Sequence, residues 1–251
     1  QLKEMSKPVV DLEQVKQVAI CSSNQDVGIG SMIAEAMDKV GQDGVITIEE
    51  GSTLETIVNV VDGLQFPRGF MAPQFATNQE TMMCEYDQPC LLITDQRISD
   101  IKTLMGVLQL VVQQLKNKPL VIIADDYSDE CVAVMAVNRM QGHISVVPVK
   151  APGFGDRRRL MLEDIAIATG ATVLSKDGTD LSKVNVQHLG TCKKVRIDRD
   201  STTILEGDGD KAKIDSRINL LRNQFTAMAG DFDKEKIQER LAFLTGGVAQ
   251  I

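Results

Sequence analysis

KPLVIIADDYSDECVAVMAVNRMQGHISVVPVK, Lys118 to Lys150, is the stretch that decides the fold class. Pro119 to Ala124 is an unbroken apolar run ended by Asp125-Asp126. Such a run suits a strand buried on both faces, the kind found in parallel sheets. Asp129 to Met140 reads as a helix, with Asp129 and Glu130 at the end where negative charge is favoured. Ile144 to Val149 returns to strand composition. Pro148 argues for a sheet edge or a local bulge, because proline cannot donate to the ladder. A strand, a helix and a second strand in this order form a crossover unit whose strands lie parallel.

The pattern continues outward. Upstream, Cys90 to Thr94 is a strand, and a helix starts at Ser99 or Asp100 and runs to about Leu115. Downstream, Asp156 to Thr169 is a helix stopped by Gly170. This alternation predicts an α/β fold, a parallel or mixed sheet covered by helices. Short strands follow at Ala171–Leu174, Lys193–Ile197 and Ser201–Leu205. Lys211 to about Ala229 and Lys234 to Leu244, the latter capped by Asp233, read as a helical hairpin joined at Gly230. Gly246-Gly247 stops the last helix.

The N-terminal 62 residues differ in texture. A helix covers Asp11 to Ile20, and another, capped by Asp26, runs to Val40 and ends at Gly41 and Gly44. GVITIEEG (Gly44 to Gly51) and Thr56 to Val61 alternate as strands. Asp62-Gly63 breaks the second strand, and Leu64 to Asn78, LQFPRGFMAPQFATN, reads as an ordered extended loop. Gly63 is a hinge or an ordinary turn glycine.

Charge and composition narrow the function. In 251 residues, 27 Lys+Arg stand against 35 Asp+Glu, a net charge of −8. That balance argues against a fold-wide nucleic-acid face. No apolar run is long enough to span a bilayer. Cys21, Cys84, Cys90, Cys131 and Cys192 are odd in number and contain no C-x-x-C pair. They read as free thiols and not as a disulfide framework or zinc site.

Enzyme motifs are scarce. Gly28 and Gly30 lack the third glycine of a dinucleotide loop, since position 33 is Ile33. Asp125 and Asp126 stand at a strand end where α/β active sites form, but capping explains acids there equally well. Asp208 and Asp210 lie in a glycine turn without the other ligands of a calcium loop. Glu49-Glu50 read as a solvated strand end. Arg157, Arg158 and Arg159 open a helix against the dipole preference. They predict salt links to a neighbouring domain or subunit, or plain solvation.

Two helices carry more apolar surface than a sheet can cover. From Ile101 to Leu115 apolar residues spread around much of the helix, and Cys131 to Val137 is apolar at every position. A helix lying on a sheet needs one stripe. Either both helices are covered on a second side by the C-terminal helices, or they form an exposed groove for apolar partners. Phe70, Met71 and Phe75 of the extended loop can add to that patch.

Six stretches then bring a resemblance. IAEAMDKVGQDGVITIEEG (Ile33–Gly51), DGLQFPRGFMAPQF (Asp62–Phe75), KPLVIIADD (Lys118–Asp126), KAPGFGDRR (Lys150–Arg158), DSTTILEG (Asp200–Gly207) and KIQERLAFLTGGVAQI (Lys236–Ile251) resemble the group I, GroEL-like, ring-forming chaperonins. The resemblance implies an intermediate-domain part at 1–62, an apical domain at 63–247, and a return strand at 248–251. It places hinges at Gly63, Gly246 and Gly247. It implies an apolar surface for unfolded polypeptides and a ring-shaped co-chaperonin. Phe70, Met71 and Phe75 would come from the extended segment, Met105, Leu108 and Val112 from the first helix, and Val132, Met135, Ala136 and Val137 from the second.

ATP and Mg would belong to a longer parent, in rings that also hold other subunits, beta-type ones among them. No catalytic residue, cofactor, metal, nucleic acid or membrane is implied for this chain. The subtype resembles plastid alpha-type subunits, which implies the chloroplast stroma, with bacterial cytoplasm or mitochondrial matrix as alternatives. Gln74, Gln109 and Pro67 depart from the family pattern. The alternatives are a structural domain without an open groove, and an enzyme using Asp125 and Asp126.

Overall fold

Caps and close contacts set the limits of the N-terminal elements. A computed structural model describes residues 9, 11–40, 45–47, 58–115, 118–175, 181–227 and 231–250. The chain divides into two compact units, Gln1–Asp62 with Gly246–Ile251, and Gly63–Thr245. In the first, Asp11 Oδ1 accepts from Gln14 N at 2.8 Å and starts helix α1 (Leu12–Ser22). Asp26 Oδ1 accepts from Gly28 N at 2.8 Å and Ile29 N at 3.0 Å and starts α2 (Val27–Val40). Gly30 lets these helices pack closely: a Cβ there would lie 2.7 Å from the Ile20 backbone nitrogen. Strand β1 (Val45–Thr47) runs parallel to β11 (Gly247–Gln250), which pairs antiparallel with the first half of β2 (Asn59–Phe66).

The larger unit contains the second half of β2, then β3 (Cys84–Asp87), β4 (Cys90–Ile93), β5 (Arg97–Ile98), α3 (Ile101–Gln114), β6 (Leu120–Ala124) and β7 (Asp126–Tyr127). It continues through α4 (Asp129–Met140), β8 (Val146–Lys150), α5 (Gly155–Thr169), β9 (Gly190–Ile197), β10 (Thr202–Gly207), α6 (Lys211–Ala227) and α7 (Asp231–Thr245). Its sheet order is β2-β10-β9-β4-β6-β8, with β3 also on β9. The three strands read from the apolar runs, β4, β6 and β8, are mutually parallel, and β4 and β6 are buried throughout. The antiparallel part is β2, β10, β9 and β3. The sheet is therefore mixed, under helices, as the α/β reading expected.

Pro148 sits on β8, the outermost strand of that order. The adjacent loop covers β8: Phe70 bridges Val149, and Met71 N donates to Pro148 O at 3.2 Å. Gly170 closes α5 in the left-handed region at φ 72°, a conformation that costs glycine least. Gly69 is forced by space, because a Cβ would stand 2.1 Å from Asp198 O.

Several expectations change. Ala171–Leu174 is not a strand, since only Leu174 bridges, to Thr94. The helix read from Asp156 begins at Gly155, with Phe154 at the N-cap position and Asp156 in the first turn. The last helix begins at Asp231, so Asp233 is inside it. Glu49-Glu50, the start of the Thr56 strand, Gly41, Gly44 and Gly230 lie outside the described residues.

The assignment to the GroEL-like chaperonins is corrected. A strongly curled, strand-rich half-barrel sheet under helices stands where the resemblance called for a GroEL-type apical domain. The chaperonin and ATP-ring terms that came with the assignment fall with it.

Candidate functional site

Helices α3 and α4 follow successive parallel strands and carry the apolar excess. Asp100 caps α3: its carboxylate accepts from Lys102 N and Thr103 N, both at 3.1 Å, and from Thr103 Oγ1 at 2.7 Å. The hydroxyl of Thr103, first, and those two backbone donors hold its carboxyl below the usual range. Leu104, Val107, Leu108 and Val111 form the buried stripe at helical spacing. Ile101, Met105 and Val112 form a second stripe beside it, and all three are exposed.

Ser128 caps α4 by accepting from Cys131 N at 3.3 Å. Cys131 and Met135 are buried, Val132, Val134 and Ala136 half-buried, and Val137 (50%) and Met140 (75%) exposed. Between the two helices lies a cleft of about 480 Å³. Met105, Leu108, Gln109, Val112 and Gln113 line it from α3, and Asn138, Gly142, His143 and Ile144 from α4 and the turn after it. That lining contains no Asp, Glu, Lys or Arg.

The expected binding residues separate into two groups. Met105, Val112 and Val137 are exposed, and Met71, Val132 and Ala136 half-buried. Phe70, Phe75, Leu108 and Met135 are buried in the core. The difference is rotational: a helix seated on a sheet turns some of its apolar positions inward, and composition does not say which. Phe75 is sunk by the turn Pro73–Phe75, which ends the extended segment. Gln113, Asn138 and His143 were missed because polar residues give no apolar signal, and Ile144 because it read as the start of a strand; Gln109 had stood out only as a departure from the family pattern.

The arginine run finds partners inside its own unit. Arg157 pairs with Glu239, Arg158 with Asp125, and Arg159 with Glu163 at 3.8 Å. Asp126 pairs with Lys150 at 2.8 Å and Arg97 at 3.8 Å. The Lys150 hydrogen bond, first, and that of the Tyr127 backbone hold the Asp126 carboxyl below the usual range. The two carboxylates thus serve different cations, and among the described residues no His, Cys, Asp and Glu cluster could hold a metal.

The C-terminal helices dock on α5. Asp164 accepts from Arg240 Nε at 2.7 Å and Nη2 at 2.9 Å, and from Arg217 Nε at 2.8 Å. A second cleft, about 450 Å³, opens among α5, α6 and α7 around Leu160, Leu220 and Ile237. Its cations are matched: Arg157 and Lys236 meet Glu239, and Arg217 and Arg240 meet Asp164. No family model matches the chain.

Proposed function

We propose that this chain holds apolar, extended segments of non-native polypeptides in the α3–α4 cleft. The observation that carries the proposal is the exposed pair Met105 and Val112 of α3, which line the cleft together with Leu108 and Ile144. Contiguous apolar surface of this kind marks interaction sites. The occupant follows from the lining. With no carboxylate, lysine or arginine in the lining, the cleft favours an uncharged, apolar occupant. Gln109, Gln113 and Asn138 supply amide donors and acceptors for the backbone of an extended chain. A co-chaperonin loop has no support apart from the family assignment and is not part of the proposal.

The second reading is a structural domain without a binding groove. The burial of Phe70, Phe75, Leu108 and Met135 favours it, because core packing accounts for that share of the apolar surplus. Met105→Glu and Val112→Glu separate the two. Both positions are exposed, so the fold tolerates the change. A carboxylate buried under a bound apolar segment costs several kcal/mol, and about 1.4 kcal/mol is tenfold in affinity. Anisotropy of a fluorescein-labelled, uncharged apolar peptide is expected to show at least about tenfold weaker binding in each variant. Unchanged affinity in both places the site elsewhere, and no binding to the native chain supports the structural reading.

A further inference from the structure

Three helices meet at the cleft among α5, α6 and α7, and each brings an arginine and an aliphatic side chain three residues apart: Arg157 and Leu160, Arg217 and Leu220, Arg240 and Ile237. Residues three apart share a helix face, so each helix turns one charged and one apolar group into the same space. Its volume, about 450 Å³, lies in the range of small-ligand clefts. We propose that this cleft binds a small amphiphilic carboxylate, an aliphatic acid of medium chain length, with its head on the arginines and its tail on Leu160, Leu220 and Ile237. The inference is independent of the polypeptide reading of the α3–α4 cleft.

Each arginine already meets an acid, but not with its whole fork. Arg240 gives Nε and Nη2 to Asp164, Arg217 gives Nε to Asp164 and Nη2 to Glu163 at 3.0 Å, and Arg157 gives Nη2 to Glu239. Among the described residues, Nη1 of all three has no partner. Arg240 is 7% exposed, yet its Nη1 is not closed off from the surface, and neither is that of Arg217. A buried guanidinium with one donor left over, on the wall of a cleft, is a built acceptor site for an anion. Among the described lining residues four are cations and one, Asp233, is an acid, while Asp164, Glu163 and Glu239 stand outside the lining. Because those acids already offset most of the positive charge, the surplus suits a single carboxylate better than a dianion. Leu160 and Leu220 are exposed and Ile237 is buried at their base. An aliphatic chain laid on them removes apolar surface from water, which a bare inorganic anion cannot do.

Titration of the native chain with sodium octanoate below its micelle concentration, followed at Leu and Ile methyl resonances, tests this. Octanoate is expected to shift Leu160, Leu220 and Ile237 and to leave Met105 and Val112 unmoved in a sample also labelled at Met and Val. Two methylenes half-buried in an open cleft are expected to make hexanoate about fourfold weaker than octanoate. 1-Octanol, which keeps the chain and lacks the charge, is expected to bind at least about fivefold more weakly. Arg157 is exposed, so Arg157→Gln keeps the fold, and it is expected to weaken octanoate about fivefold while leaving octanol unchanged. Leu220→Ser, also at an exposed position, is expected to weaken both ligands. Equal affinity for octanoate and octanol, or an Arg157→Gln variant that binds octanoate as the native chain does, overturns the recognition of the head. Equal affinity for octanoate and hexanoate overturns the seating of the tail. Shifts only at Met105 and Val112, or none at all, overturn the site itself.

Discussion

Asp164, in the middle of α5, is fully buried, and its oxygens accept from Arg217 and from two nitrogens of Arg240. Arg240 is itself buried. Asp164→Asn keeps the shape and removes the charge, which leaves buried guanidinium without its counter-ion. Removing one partner of a buried pair costs about 3–5 kcal/mol. At roughly 2–4 °C per kcal/mol, calorimetry is expected to show a melting point lower by at least about 6 °C. An unchanged melting point would mean that water already solvates the arginines. The cysteines give a second residue-scale test. Burial, first, pushes Cys84 up to about 11 and Cys192 up to about 12, and it raises Cys90 as well. Thiolate is the reactive form. Cys131 is buried too, and Cys21 is exposed. Ellman's reagent at mildly alkaline pH is expected to find one reactive thiol in the native chain and all five in denaturant. Several fast thiols in the native chain would contradict the burial described here.

Along α3 the buried and open stripes lie side by side, and Leu108 and Val112 are one turn apart on the same helix. Leu108 is 1% exposed and Val112 44%. Leu108→Glu puts an unpaired carboxylate among buried neighbours and is expected to abolish cooperative melting by circular dichroism. Val112→Glu is expected to melt within a few degrees of the native chain. Equal behaviour of the two would mean that α3 is rotated from the orientation described. The contrast also marks where sequence reading stops. PLVIIA identified its strand because a strand buried on both faces has no polar position to confuse the pattern. The caps at Asp26 and Asp100 were legible because their bonds are local. Which of ten apolar residues on α3, α4 and the loop stay exposed was not legible, because the face a helix presents to a sheet is set by residues distant in the chain. Phe75 looked like a surface aromatic in a loop, yet a short turn buries it. Arg240 gave no signal at all: its partner Asp164 lies far upstream in the sequence.

On the scale of the molecule, the alternation of strands and helices identified an α/β architecture with a parallel or mixed sheet, and the strand pairing makes it mixed. The family assignment went further than the architecture supports, because short matching stretches reported local segments while the curled sheet is a property of how strands pair. Peptide binding in the α3–α4 cleft is what the proposed function stands on. Methyl-labelled Met and Val resonances, followed by NMR as an uncharged apolar peptide is added, test it most directly. Binding there predicts concentration-dependent shifts at Met105 and Val112, with Leu220 and Ile237 of the α6–α7 cleft unmoved in a sample also labelled at Leu and Ile. Shifts confined to Leu160, Leu220 and Ile237, or no shifts at saturating peptide, would contradict it.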